Sequence, residues 1–231
     1  MIYAGMLLLA TGTVHAQDDD NWDHISPANI VSKDTFVRKG YTLIFINKSP
    51  DFNDAVKKSM VDAFYTVYPK EAKMFNKKTL KTVIFLIDPK YIGVAATSGK
   101  IVRYNPTWFV SHPGDIDVVT HEVMHIVQAY KGDNPGWLVE GVADYVRYKF
   151  GVDNEGAGWS LTPFNAKQNY TDAYRITARF LVWAEKNYDK KLVIKMDAAM
   201  RNKTYTPGLW MKLTGKTVDE LWKEYAANPA I

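Results

Sequence analysis

The sequence predicts an α+β fold, in which a small mixed sheet with one helix fills the N-terminal half and a mainly helical half follows. Three observations lead there. The strand-like apolar runs "YTLIFIN" and "KTVIFLID" lie early in the chain, helical periodicity takes over from Asp115 onward, and 231 residues at 47% hydrophobic content can bury one sizeable core.

The elements follow in order. Residues 1–16, "MIYAGMLLLATGTVHA", carry no charge, hold an apolar run from Ile2 to Ala10 and end in Val14-His15-Ala16. That is the pattern of a cleaved secretion signal, so the expected location is secreted or periplasmic. The run is too short to span a membrane, and no later segment reaches ~18 uninterrupted apolar residues. Residues 17–38, with Asp18, Asp19, Asp20 and Asp23 at their start, read as a flexible acidic lead-in. A single domain is expected over 39–231, with an α/β lobe at 39–112 and a helical lobe at 113–231.

Within the first lobe, Tyr41 opens a strand, "FNDAVKKSMVDAFYTVY" is an amphipathic helix closed by Pro69, and "KTVIFLID" is a buried strand. Residues 93–99 read as a loop. "KIVRYNPTW" offers one more strand, which Pro106 would terminate or confine to a sheet edge, and the edge is the expectation. In the second lobe the periodicity predicts helices over Asp115–Tyr130, Trp137–Phe150, Thr171–Asn187, Val193–Asn202 and from Thr217, where Glu220 three positions on completes a capping box.

Composition narrows the chemistry. The net charge of +4 is spread along the chain, which gives no footprint for nucleic acid. Cysteine is absent, which removes disulfides, thiol catalysis and thiolate ligands together. Any metal must be held by His and carboxylates.

"HEVMHIVQAYKGDNPGWLVEGVAD", His121 to Asp144, supplies such residues. On a helix of 3.6 residues per turn, His121 and His125 lie about 40° apart on one face and can reach one ion, with Glu122 beside them. A hydrolytic zinc site needs three protein ligands, an open position for water and a carboxylate to take the water's proton. The turn at Pro135-Gly136 folds the next helix back, which can bring Glu140 to the metal as third ligand. Asp144, one turn further, can then accept the free N–H of His121.

These residues look like a gluzincin, the zinc peptidase group with His-Glu-x-x-His and a downstream Glu-x-x-x-Asp. More narrowly, "VTHEVMHIVQAYKGDNPGWLVEGVADYVRYKFG", "TDAYRITARFLVW" and "LTGKTVDELWKEY" resemble the basic secretory protein family of plants and bacteria. The resemblance covers roughly residues 41–225. It implies a zincin-like fold with the metal site between the lobes, and a secreted zinc peptidase with His121, His125 and Glu140 as ligands and Glu122 as base. Plant members often carry Gly where this chain has Trp137 and Ala173.

The expected reaction is hydrolysis of a peptide or protein substrate, with Tyr174 donating to the oxyanion and Tyr170 as the second choice. The substrate is expected to extend along the strand at Lys100–Tyr104, between walls formed by Trp108, Trp137 and Tyr174. A non-catalytic secreted protein that keeps its metal to bind a glycan or protein ligand is the alternative. Retention of Glu122 argues against it, because a structural zinc needs no base.

Overall fold

The computed structural model describes residues 24–231. The secretion-signal expectation for residues 1–16, and the first part of the lead-in, lie outside the described residues. The end of that lead-in is a regular strand rather than a flexible segment. Residues Ser32–Arg38 form β1, antiparallel to β2 (Tyr41–Asn47) along its whole length. The cause is the two-residue turn Lys39-Gly40, with φ of +53° and +76°, the conformation that closes a tight hairpin. β1 is an exposed edge, so its sequence is polar and hides the strand.

A crossover helix, α1 (Asp54–Met74), links β2 to the parallel β3 (Thr82–Ile87). Asn53 caps its start, accepting from the N–H groups of Ala55 and Val56. The helix does not stop at Pro69 but runs through it. Proline removes the donor that Tyr65 C=O would have received, and Lys39 Nζ supplies a replacement at 3.0 Å.

The sheet is completed by β4 (Ala95–Ser98) and β5 (Ile101–Tyr104), a hairpin turning at Gly99 with φ of +56°. The order is β1-β2-β3-β5-β4, with β5 parallel to β3 and antiparallel to β4. This corrects the expectation of an edge at residues 100–104: β5 is paired on both sides, and β4 is the edge. The stretch read as a loop holds that strand. Just after β5, Pro106 begins a short helix, α2 (Pro106–Ser111), capped by Asn105.

One face of the sheet, carrying Leu43, Phe45, Val83, Phe85, Ile87, Val102 and Tyr104, packs against α1 and the helices that follow as one continuous core. Ile46, Leu86 and Ile101 form a smaller cluster on the other face. The later helices are α3 (Val118–Gln128), α4 (Gly136–Phe150), α5 (Tyr174–Asn187), α6 (Leu192–Arg201), α7 (Gly208–Thr214) and α8 (Val218–Ala227). The expected Thr217–Glu220 capping box is present at the start of α8. Among the described residues, no helix is long and apolar enough to cross a membrane.

Two contacts fix the helices that matter for the site. The Asp117 carboxylate accepts from Thr120 Oγ1 and from the N–H groups of Val152 and Asp153 at 2.6–2.8 Å, tying the start of α3 to the chain just past α4. A Cβ on Gly141 would sit 2.2 Å from Thr177 Cγ2, so this glycine lets α4 and α5 approach each other.

Candidate active site

α3 and α4 meet over the apolar core, and their facing side chains converge beside β4. His121 Nε2 lies 3.2 Å from His125 Nε2 and 3.2 Å from Glu140 Oε2, and His125 Nε2 lies 3.5 Å from the same oxygen. Three donors at ~2.0–2.1 Å from a tetrahedral ion would stand about 3.3 Å apart, so this triangle has the dimensions of one face of such a site. These three are the group that can hold a metal ion among the described residues.

The other ring nitrogens decide which atoms face inward. His121 Nδ1 is 2.7 Å from Asp144 Oδ1, and His125 Nδ1 is 2.8 Å from Gln128 Oε1. Gln128 Nε2 donates to Val139 C=O at 2.9 Å, which leaves its Oε1 to accept from His125. With both Nδ1 atoms donating, both Nε2 lone pairs point at Glu140. Such a convergence repels itself unless a cation sits in it. The acids around His121 show the same field: burial opposes its charge, but Asp144, then Glu140 and Glu122, push its pKa well above the ordinary histidine value. Burial likewise opposes charge on Glu140, and the two histidines outweigh it, holding its carboxyl far below the usual range. A divalent cation answers that demand in place of a proton, and the donor set fits one.

Glu122 projects from the same turn of α3 and is buried. Its Oε2 accepts from Thr97 Oγ1 on β4 at 2.6 Å. Tyr174, the first residue of α5, stands beside His121, its ring 6.2 Å from that of the histidine and nearly parallel to it. Burial, with the carboxylates of Glu140, Asp144 and Glu122 nearby, pushes its hydroxyl pKa up to about 12, so it stays a donor at neutral pH. The backbone reaches Tyr174 by an unusual route: Ala173 has φ +64° and ψ −170°, a region otherwise reserved for glycine, and Tyr174 itself has φ +48°.

Around the triangle runs an open cleft of 1810 Å³, lined by β4 from Ala95 to Thr97, by Trp108, by Trp159 and by Tyr174. Three expected substrate contacts divide here. Trp108 lines the cleft, its indole N–H held by Asp115 at 2.9 Å and its ring stacked on His112 at 3.8 Å. Tyr104 does not: it is fully buried with its ring edge-on to Phe85, because β5 is an internal strand. Trp137 is also turned away, packing against Tyr170 and Trp210 in the aromatic core. Tyr170, the second choice for oxyanion donor, gives its hydroxyl to Asp219 at 2.8 Å and belongs to that core.

Sequence reasoning missed three residues. Gln128 was visible three positions after His125, the spacing of facing side chains on a helix. Thr97 lay in a stretch without strand periodicity. Glu71, on the buried face of α1, gave no signal; its carboxyl has no hydrogen-bond partner, and burial raises its pKa well above the ordinary value against the pull of His121.

Comparison with known proteins follows the same lines. Aminopeptidase A from Legionella pneumophila, solved in complex with aspartic acid, superposes with a TM-score of 0.58 at 14% identity, over 83% of this chain and 27% of that one. An M1 zinc metallopeptidase from Deinococcus radiodurans gives 0.50 at 11% identity, over 87% of this chain and 52% of that one. The chain thus spans about a quarter and about half of these larger proteins, and at such identities the likeness is one of fold: a zincin-like peptidase fold. No curated protein matches the chain. A family described as peptidases of plants and bacteria matches residues 30–225, nearly the whole described chain. The chain belongs to that peptidase family.

Proposed function

We propose that the chain is a secreted zinc peptidase that hydrolyses peptide bonds with Glu122 as general base. The observation that supports this most directly is the convergence of His121, His125 and Glu140 on one point, with the Glu122 carboxylate on the same helix turn. Zinc suits the donors, two imidazoles and one carboxylate, with no thiolate in the chain. The Deinococcus protein of similar fold is itself described as a zinc metallopeptidase.

A bound zinc supplies a Lewis acid that makes a water acidic near neutral pH and polarises the scissile carbonyl. Glu122 takes the proton as the water attacks and passes it to the leaving amine. Tyr174 donates to the carbonyl oxygen as charge gathers there. Asp144 and Gln128 keep the ligand imidazoles in one tautomer and orientation.

The substrate lies along β4. Asn105 N–H donates to Val94 C=O, so residues 94, 96 and 98 face β5 and the backbone groups of Ala95 and Thr97 face outward. Tyr91 Oη donates to Ala95 C=O at 3.1 Å, which leaves Thr97 as the main-chain partner for an extended peptide. A cleft larger than the roughly 300–1,000 Å³ of small-molecule pockets suits such a ligand.

The test is Glu122→Gln. Zinc analysis should give near one equivalent for both proteins, and the variant should lose hydrolysis of a broad peptide panel. Equal inactivity of wild type and variant, with both still binding a glycan or protein ligand, would establish the non-catalytic reading instead.

A further inference from the structure

Among the described residues, Thr97 is the side chain that joins the edge strand to the proposed base. Its Oγ1 stands 2.6 Å from Glu122 Oε2 and 3.0 Å from Glu122 C=O. The hydroxyl has a single proton to give. The shorter distance and the charged acceptor direct it to the carboxylate. Its own lone pairs cannot hold Glu122, which offers no donor when ionised.

Glutamate has three side-chain torsions, and Glu122 lies on a helix whose backbone fixes none of them beyond the first. A carboxylate left to rotate would spend part of its time turned from the ligand triangle. Thr97 takes one oxygen, Oε2, and leaves Oε1 as the atom to accept a proton in the cleft that Glu122 lines. As a β-branched residue in a strand, Thr97 has a restricted χ1, so its hydroxyl is a fixed point rather than a second mobile one. The same residue turns its backbone groups toward the cleft edge where the peptide would lie.

We infer that Thr97 is a positioning residue for Glu122: its hydroxyl holds the carboxylate in register with the substrate strand that its own backbone binds. This rests on the peptidase reading proposed above. The bland role, a hydroxyl that merely ties β4 to α3 through Glu122 C=O, predicts a loss of stability with the rate intact. The positioning role predicts a rate loss with stability intact.

The experiment compares wild type, Thr97→Val and Thr97→Ser, all zinc-loaded, on one internally quenched peptide. Thr97→Val should lower kcat by roughly 10- to 100-fold, the scale of a misplaced reacting group, with KM within about twofold. Zinc content and melting temperature should match wild type, and Thr97→Ser should recover most of the rate. Thr97→Ala serves as the second variant if the valine substitution disturbs folding. Full kcat in the variants lacking the hydroxyl would overturn the inference. Crystal structures of wild type and Thr97→Val decide the point independently of activity: the Glu122 carboxylate should leave its position, and an unmoved Glu122 would overturn it. A wild type without peptidase activity would instead remove the peptidase reading, and the Glu122 position would still decide whether Thr97 holds it.

Discussion

The two walls of the cleft are built by opposite means. On one side, α3 and α4 bury His121, Glu122 and Asp144 to 8%, 5% and 5% exposure, and Asp144, Gln128 and Thr97 each take up a polar atom of the site. On the other, Tyr174 is 54% exposed and enters through two consecutive residues of positive φ. The first wall is over-determined, as a group of donors that must meet one ion within a few tenths of an ångström requires. The second rests on a single strained joint at Ala173 and Tyr174. Burial and hydrogen bonds hold the wall where a metal would sit, and a half-exposed ring on a strained joint forms the other.

Four substitutions probe that difference, from the largest effect to the smallest. Removing a member of the rigid triangle, His121→Ala, should abolish stoichiometric zinc binding by metal analysis and reduce peptide hydrolysis to background. One full equivalent of zinc in that variant would show that the metal sits elsewhere. On the more exposed wall, Tyr174→Phe should lower kcat by about 10²–10³-fold, the usual size for one oxyanion donor, with zinc content unchanged. An unaltered kcat would make this wall passive, sharpening the contrast at the expense of the oxyanion role.

A smaller effect is expected one layer behind the triangle. Asp144→Ala should weaken zinc affinity by roughly 10- to 100-fold, measured by chelator competition, without abolishing binding. Unchanged affinity would mean that His121 needs no orienting partner and that the wall is less determined than its contacts imply. The last test concerns the joint itself. Ala173→Gly should raise stability by about 1 kcal/mol, the balance of relieved strain over glycine's added chain entropy, which corresponds to a melting temperature ~2–4 °C higher. A lowered melting temperature would show that the surrounding chain accepts Ala173 without strain.

How far the sequence reveals this arrangement follows the same division. The triangle and Asp144 were legible because helix periodicity converts sequence spacing directly into faces: His121 and His125 one turn apart, Glu140 and Asp144 one turn apart on the returning helix. The partners across elements were not. β4 reads "AATS", four residues of small or polar character, and nothing in it announces a strand, so both the sheet edge and Thr97 were misplaced. Pro69 stops most helices, but Lys39, thirty residues away, rescues the orphaned carbonyl. Trp137 carries the same composition cue as Trp108, and only the packing of Tyr170 and Trp210 around it shows that it faces inward. Nothing in the residues around Ala173 announces its φ of +64°.

Asp117 has a further consequence. By gathering Thr120, Val152 and Asp153 it closes the chain from the head of α3 to the tail of α4 into a ring, fastened one helical turn before His121, whose N–H the Asp117 carbonyl accepts. The two helices that would hold an ion are therefore fastened to each other by protein contacts alone. In a zinc finger, uptake of metal and folding are one event, and the chelated chain collapses. Here the contacts that frame the site need no ion, so metal removal by a chelator should leave the fold standing, which circular dichroism of the stripped protein would check.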